Sequence, residues 1–465
     1  MGIFGERSRP AEYQRFVRPT PSWFSDAKLG IFLHWGVYSV PAWAEPIGET
    51  SAENHSFKHN PYAEWYANTI RIDGSPAQEH HRRVYGPDVN YWSLLDSWRA
   101  ERFDPAAFAE SVAQTGARYF VPVAKHHDGV ALWPAPGSEG ANTVERGPKR
   151  DLIGELARSI RRQGLKFGAY YSGGLDWRVA DTGPICEERG DGPLALPSRP
   201  VDAAYARFAH AQVKDLIERY RPDVLWGDID WPDAGKAPGP FSLADLFDRF
   251  YESAPEGVVN DRWGDTHWDF RTTEYQMGSP FKDEPWEHNR GIGYSFGYNQ
   301  MEGADASLTG SACVRTLVDV VASGGNLLLN VGLKADGSLP QAQRRCLEFL
   351  GRWNRRYGQA VFSTRPVPTS LARPSDQGDA LGQAWVRWTG AADRLYAISD
   401  AAGRVTLAID PAAVAPQSAR TIDGHRLRAE VAGRGIAVDL PPADPDSKTA
   451  GPEPRVVVFD RRRPI

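Results

Sequence analysis

The segment VLWGDIDW, residues 224–231, contains the pattern from which the fold of most of the chain can be predicted. Its apolar residues favour a buried parallel strand, preceded by the helical pattern of residues 203–221 and ended before Pro232, because proline cannot continue a central strand. Asp228 then lies near the carboxyl end of this strand. Barrels of alternating strands and helices present catalytic side chains at these strand ends, so Asp228 is a candidate catalytic carboxylate.

Similar strand and helix patterns recur on both sides of this segment. The predicted strands cover residues 29–36, 119–124, 165–171, 224–231, 258–262, 270–275, 294–298 and 326–331. The predicted helices cover residues 104–116, 152–162, 203–221, 243–251, 313–322 and 341–357. This alternation predicts the α/β class, with a (β/α)8-like catalytic barrel in residues 1–358. Residues 260–290 show little helical pattern, so we expect one imperfect unit.

The pattern changes after residue 358. Short runs rich in β-branched and aromatic residues, such as 385–388, 395–398, 405–409 and 456–459, are separated by Gly, Asp and Pro clusters. Strands separated by such turn signals, with no helical periodicity, are typical of an all-β domain. Residues 359–465 are therefore predicted to form a carboxyl-terminal β-sandwich.

The amino-acid composition limits the classes of function to be considered. The chain has 465 residues, a net charge of -5 and no basic block, which argues against nucleic acid as a partner. It contains 16 Trp residues. Aromatic faces of this kind suit sugar binding, and they equally suit core packing in a large barrel, so composition leaves both explanations open.

The cysteines and the amino terminus bear on the compartment. Cys186, Cys313 and Cys346 are widely spaced and form no CxxC motif, which argues against a disulfide framework or a thiolate zinc site. Residues 1–16 are polar and lack the apolar region of a signal peptide, and no membrane-spanning segment is recognisable. We therefore expect a cytoplasmic protein with no membrane partner.

Polar residues occur at or just after most of the predicted strands: His34, His126, His127, Tyr170, Asp228, Arg262 and Glu274. In a barrel these positions converge on one mouth. Taken singly, each also has a structural explanation, such as a hydrogen-bonded His or an Arg in an ion pair. Asp230 and Asp233 are alternatives to Asp228 as the working carboxylate, although they fall in the loop beyond the strand.

Three chemistries are compatible with residues of these types. Paired carboxylates beside aromatic residues suit glycoside hydrolysis. His and Asp side chains could instead bind a catalytic metal, but no His-x-His pair stands at a strand end, and the adjacent His126 and His127 would point to opposite sides of an extended strand. Neither a nucleophile elbow nor a glycine-rich phosphate loop is present. The residue types favour the glycosidase, without a metal or another cofactor.

Ten collinear blocks resemble the α-L-fucosidases of glycoside hydrolase family 29. They are LGIFLHWGVYSVPAW, NPYAEWY, KHHDGVALW, GPKRDLIGELA, FGAYYSGGLDW, PDVLWGDIDWP, VVNDRWG, HWDFRTTEYQ, RGIGYSFGYNQ and SGGNLLLNVG, between residues 23 and 331. The resemblance implies a barrel followed by a β-sandwich, and a retaining hydrolase acting on fucosylated oligosaccharides or glycosides. It leaves open a homo-oligomer, activity on α-L-galactosides, and a non-catalytic fucose-binding protein.

The resemblance also implies roles for individual residues. Asp228 matches the family nucleophile, and Glu274 matches the general acid/base of the subgroup with relaxed aglycone preference. Glu287 is the fallback for the acid/base. The positions that match sugar-contacting residues are His34, Glu64, Trp65, His126, His127, Tyr170, Trp226, Arg262 and Phe296.

These roles carry physical expectations. Arg262 should hold the pKa of Asp228 down by charge attraction, because the nucleophile must be ionised. Glu274 must carry a proton in the first step, so we expect it in a place shielded from water. Trp226 and Phe296 are expected to pack against the C5 methyl group of a 6-deoxy sugar.

Overall fold

The structure is a computed structural model that describes residues 9–48, 56–179, 182–187, 198–275, 281, 284–376, 384–440 and 453–462. Residues 1–8, part of the segment in which we expected no signal peptide, lie outside the described residues. The helices are α1 (Ser22–Ala27), α2 (Tyr66–Thr69), α3 (Pro76–Val84), α4 (Pro105–Gln114), α5 (Leu152–Arg162), α6 (Ala203–Tyr220), α7 (Leu243–Ser253), α8 (Gly310–Ala322) and α9 (Gln341–Tyr357). In the described parts of the chain, no helix has the length and apolar character needed to cross a membrane.

Eight parallel strands form the sheet of the larger part of the molecule. They are β1 (Leu29–His34), β2 (Tyr119–Lys125), β3 (Lys166–Ser172), β4 (Val224–Asp228), β5 (Val258–Val259), β6 (Arg271–Glu274), β7 (Trp286–Gly291) and β8 (Asn326–Gly332). Their order is β5-β4-β3-β2-β1-β8-β7-β6, and no ladder joins β5 to β6 within the described residues. The sheet is thus a barrel that is open at one seam, which confirms the α/β class. No helix separates β5 from β6, as the weak helical pattern there predicts.

The prediction of a strand at residues 294–298 is wrong, because the seventh strand is β7. Residues 294–298 form a loop whose backbone is held by side chains: Glu302 accepts from Ser295 N at 2.7 Å, and Asn330 donates to Phe296 O at 2.7 Å. The sequence of β7, WEHNRG, lacks the apolar pattern of a buried strand. Its polar residues Glu287 and Asn289 are nevertheless buried, because each forms a hydrogen bond inside the barrel.

Successive side chains of each strand point alternately into the barrel and outward, so the core has two layers. Inward-facing side chains fill the barrel and include Phe32, Tyr119, Tyr170, Trp226 and Leu328. Their outward-facing neighbours, such as Ile31, Phe120, Tyr171, Leu225 and Leu329, pack in the layer that contains the helices. Successive strand residues point to opposite faces, so the position of Asp228 two residues after Trp226 directs its side chain into the barrel mouth.

The remainder of the chain is built from antiparallel strands, as predicted from its turn-rich pattern. They are β9 (Arg365–Pro366), β10 (Val386–Gly390), β11 (Arg394–Ser399), β12 (Gly403–Leu407), β13 (Arg420–Thr421), β14 (Ala429–Ala432), β15 (Gly435–Leu440) and β16 (Arg455–Asp460). They form sheets ordered β13-β16-β11-β10-β9 and β12-β15-β14. The first sheet packs on the barrel layer: Trp385 and Tyr396 share one buried cluster with Trp353 of α9.

Candidate active site

Asp228 ends β4 with its carboxyl group held by three donors. The Tyr170 hydroxyl donates to Oδ2 at 2.7 Å, while Arg262 Nη1 and the backbone N–H of Ile229 donate to Oδ1 at 3.1 and 2.9 Å. Asp228 is 8% exposed, so the carboxyl group can be reached from the barrel mouth but its orientation is fixed by the protein.

The surroundings of Asp228 keep it charged. Burial by itself raises the pKa of the carboxyl group, but the positive charge of Arg262, the nearby His127 and the hydrogen bond from Tyr170 together hold its pKa below the ordinary value. This agrees with the role that the sequence predicts for Arg262. An ionised, oriented carboxylate is what nucleophilic attack on a sugar carbon requires.

Glu274 lies on the other side of the same guanidinium group. Arg262 donates to Glu274 Oε2 at 2.8 Å through Nη2, and to Thr272 Oγ1 at 3.0 Å through Nε. The Glu274 side chain is 34% exposed, so the expectation of a water-shielded place does not hold. The reason is topological: β6 is the terminal strand of the sheet, so Glu274 lies beside the open seam.

His126 and His127 lie side by side, contrary to the expectation that they point in opposite directions. Their ring centroids are 4.0 Å apart, because β2 ends at Lys125 and both residues belong to the turn that follows. His127 Nε2 is 3.8 Å from Asp228 Oδ2, and the His126 ring stacks on Tyr170 at 5.8 Å. Burial lowers the pKa of His127 to about 4, so the ring is neutral at neutral pH.

The space above Asp228 at the barrel mouth is called the hollow below. A further group of side chains beside it comprises His34, Phe296 and Glu64. His34 Nδ1 is 2.7 Å from Asn330 Oδ1, and its ring centroid is 5.0 Å from that of Phe296. Glu64 Oε2 accepts from Gly297 N at 2.7 Å, which holds the loop that carries Phe296. Burial raises the pKa of Glu64 to about 7, and burial lowers the pKa of His34 to about 3.

The two tryptophans predicted to contact the sugar, Trp65 and Trp226, lie at different depths in the barrel. Trp65 meets the His127 ring edge to face, with centroids 5.5 Å apart. Trp226 is 1% exposed and lies beneath Arg262, whose guanidinium carbon is 4.8 Å from the centre of the indole ring. The contacts described above therefore bring the eleven residues proposed from the sequence as catalytic or sugar-contacting together at the barrel mouth. Glu287 contacts this group only at Trp226 and is fully buried.

The alternative carboxylates after β4, Asp230 and Asp233, form ion pairs with basic side chains. Asp230 Oδ1 is 2.8 Å from Lys236 Nζ, and Asp230 Oδ2 is 3.3 Å from Arg199 Nη2. Asp233 Oδ1 lies 2.8 Å from each of these two cations. Between Asp228 and Asp230, Ile229 has a φ of 69°, an uncommon conformation for a β-branched residue. The ion pairs thus stabilise a sharp turn that directs Asp230 away from Asp228.

Sequence reasoning missed three polar residues that orient the site. Asn289 Oδ1 accepts from Arg262 at 3.2 Å, Asn330 contacts His34, and Ser172 Oγ is 2.7 Å from His127 Nδ1. The available signal was a polar residue at an inward position of a buried strand, as in the segment LLLNVG of β8. Among the residues that the structure describes, no group of three or more His, Cys, Asp or Glu side chains could hold a metal ion.

Comparison with known proteins gives concordant results. A family model described as Alpha-L-fucosidase matches residues 6–359. An Alpha-L-fucosidase of Dictyostelium discoideum is 32% identical, over 75% of this chain and 73% of its own. The tissue alpha-L-fucosidase of Homo sapiens is 31% identical, over 75% and 70%. A crystal structure of Thermotoga maritima alpha-fucosidase is 39% identical and superposes with a TM-score of 0.81, covering 98% of this chain and all of that one.

Proposed function

The chain belongs to the α-L-fucosidase family of glycoside hydrolases, and we propose that it releases terminal α-L-fucosyl residues with retention of configuration. The observation that carries the mechanism is the single guanidinium group of Arg262, which contacts Asp228 at 3.1 Å and Glu274 at 2.8 Å. Sharing one guanidinium keeps two carboxyl groups close. Retaining enzymes need them about 5–5.5 Å apart, whereas inverting enzymes need about 6.5–9.5 Å.

In the first step, Asp228 attacks the anomeric carbon while Glu274 donates a proton to the leaving oxygen. The C–O bond to the aglycone breaks, and a fucosyl ester of Asp228 forms with inverted configuration. In the second step, Glu274 takes a proton from water, which attacks the same carbon and releases α-L-fucose. The exposure of Glu274 suits this second step, because water must reach the side chain, and the proton taken from that water restores the acid form for the next turnover.

The substrate would enter as a terminal fucosyl residue. The neutral rings of His34 and His127 can hydrogen bond to ring hydroxyl groups, and Phe296 offers an apolar face to the C5 methyl group. A solved structure of the Thermotoga maritima enzyme is described as a complex with fucose, which supports this substrate class. We also propose the relaxed aglycone preference that the position of Glu274 implies, which comparing aryl α-L-fucosides with fucosyl disaccharides of different linkage would test.

Proton NMR of the first-formed product tests the stereochemistry. Hydrolysis of an aryl α-L-fucoside should release α-L-fucose before mutarotation, and β-L-fucose as the first product would refute retention. Asp228→Gly should lose nearly all turnover, and added azide should restore it with formation of β-L-fucosyl azide. Asp233→Asn is a matched control, because it removes a nearby carboxylate outside the hollow and should keep the activity.

We further propose that the enzyme works in the cytoplasm. The support is chemical: Cys186, Cys313 and Cys346 are all free and buried, as is common in a reducing compartment. Cell fractionation with an antibody against the chain would test the location, and recovery with secreted protein would overturn it.

A further inference from the structure

Glu287 is a buried acid that the proposed reaction does not use. It is 0% exposed and faces the barrel interior from β7. Asn289, two residues further along the same face, already contacts Arg262. Glu287 therefore lies one layer below the reacting carboxylates, at the level of Trp226 in β4.

Both oxygens of Glu287 are engaged inside the barrel. Oε1 accepts from the indole Nε1 of Trp226 at 2.9 Å, and Oε2 accepts a short hydrogen bond from the Tyr119 hydroxyl. The carboxyl group is 0% exposed, and both of its hydrogen-bond partners are buried side chains. Glu287 therefore cannot deliver a proton to a leaving group in this arrangement, which argues against its role as the fallback acid/base.

The Trp226 ring in turn supports both side-chain donors to Asp228. Tyr170, which donates to Oδ2, stacks on Trp226 with ring centroids 5.5 Å apart and an interplanar angle of 23°. Arg262, which donates to Oδ1, lies over the same indole with its guanidinium carbon 4.8 Å from the ring centre. A rotation of the indole would therefore displace both donors.

We infer that Glu287 is a positioning residue for the nucleophile, acting through the orientation of the Trp226 indole. The inference rests on the proposed role of Asp228. The indole side chain has a single N–H donor. One acceptor in a fixed place is therefore enough to favour one orientation of the ring. The other contacts of the Trp226 ring described here, with Phe32, Tyr170 and Arg262, are made through its faces and edges and do not engage the N–H group.

The charge of Glu287 is not what the role requires. Burial raises its pKa to about 7, against the hydrogen bonds from Tyr119 and Trp226 and the attraction of Arg262, while Asp261 raises it further. The acid is thus partly neutral near pH 7, and it accepts hydrogen bonds in either form. Glutamine would keep an oxygen for Trp226 and would offer an amide N–H to the Tyr119 oxygen, so it should substitute well.

The test compares Glu287→Gln, Glu287→Met and Trp226→Phe in the full chain. Glu287→Gln should keep kcat within about threefold of the parent. Glu287→Met and Trp226→Phe should each lower kcat about tenfold or more, and move the acidic limb of the pH profile of kcat/KM toward neutral pH, because Asp228 loses its ordered donors. The double variant should be no worse than the poorer single one, since both remove the same contact.

Asp319→Leu is the matched control. Asp319 of α8 accepts the Trp385 indole N–H at 3.1 Å and pairs with Arg387 at 2.6 Å, so its loss removes the same type of indole bond elsewhere, together with one ion pair. It should lower the melting temperature and leave kcat and the acidic limb at the parent values. If Glu287→Met fails to fold, the position of the acidic limb in Trp226→Phe decides, because this substitution keeps an aromatic ring while removing the N–H donor and one ring of the indole.

Three results would overturn the inference: an acidic limb that stays at the parent position in Glu287→Met and in Trp226→Phe, additive losses in the double variant, or a loss in Glu287→Met that is confined to poor leaving groups and restored by azide. The last result would make Glu287 the acid/base. The azide product of Asp228→Gly, with Glu287 intact, reports on the nucleophile separately, so failure here would not be mistaken for failure of the proposed mechanism.

Discussion

Tyr170→Phe isolates one hydrogen bond to Asp228, the proposed nucleophile. The hydroxyl of Tyr170 is buried and donates to Asp228 Oδ2 at 2.7 Å. Phenylalanine keeps the ring that stacks on Trp226 at 5.5 Å and on His126 at 5.8 Å. The substitution therefore removes a donor to the carboxylate with little change in packing.

The size of the effect follows from the kind of bond. A buried hydrogen bond to a charged group is worth about 1.5–3 kcal/mol, and each 1.4 kcal/mol is a factor of about ten. This bond helps to keep the pKa of Asp228 below its ordinary value against the effect of burial, so its loss moves the acidic limb of kcat/KM toward neutral pH. On that limb, where the rate follows the ionised fraction of Asp228, we expect a loss of about 10–100-fold. On the plateau, where Asp228 remains ionised, the loss should be smaller.

The assay is kcat/KM for an aryl α-L-fucoside across the acidic range. Tyr171→Phe is the control, because the neighbouring Tyr171 is equally buried and donates to Gln212 at 2.9 Å, on the outward side of the strand. It should leave the limb at its parent position. An equal loss for Tyr170→Phe at every pH, with an unmoved limb, would refute the assignment of Asp228 as the group that must be ionised.

Three further outcomes concern stability. Lys125→Met should lower the free energy of unfolding by about 3–5 kcal/mol in urea, because it leaves Asp176 as an unpaired buried charge where Lys125 Nζ now lies 2.6 Å away; a loss below 1 kcal/mol would contradict the buried pair. Glu287 has a pKa raised from 4.5 to about 7, so its contribution to stability is full below pH 4.5 and is lost as the pH rises through 7. From pH 5 to pH 8, the free energy of unfolding should therefore fall less in Glu287→Gln than in the parent, which urea titrations at pH 5 and at pH 8 would measure. An equal fall in both proteins would count against the raised pKa of Glu287. Removing residues 359–465 should aggregate the remainder, because the truncation uncovers Trp353, whose indole donates to Pro454 O at 2.7 Å; a soluble, cooperatively melting fragment would show the opposite.

Much of the fold follows from local pattern. Apolar runs that end in turn residues place β1, β2, β3, β4 and β8 correctly, because strands buried on both faces need continuous apolar sequence. The same rule fails for β7, whose polar residues are buried with partners far away in the chain. It also misassigns residues 294–298, where aromatic residues belong to a loop that Glu302, Glu64 and Asn330 hold in place.

The candidate site divides in the same way. Strand ends and motif positions identify Asp228, Glu274 and Arg262 as residues that belong together. They do not predict that His126 and His127 turn to the same hollow, because that depends on the residue at which β2 ends. They also do not predict the exposure of Glu274, which depends on the open seam beside β6.

By itself, the sequence determined the alternation of strands and helices, the family and the types of side chain at the barrel mouth, because each of these is encoded in short stretches of chain. Only the tertiary structure decided which of two acids, Glu274 or Glu287, shares the guanidinium group of Arg262 with Asp228. Glu274 is the last residue of β6 and Glu287 the second residue of β7, and two residues of register separate a side chain at the mouth from one buried beside Trp226. That difference arises from pairing between strands distant in the chain, which no local pattern encodes.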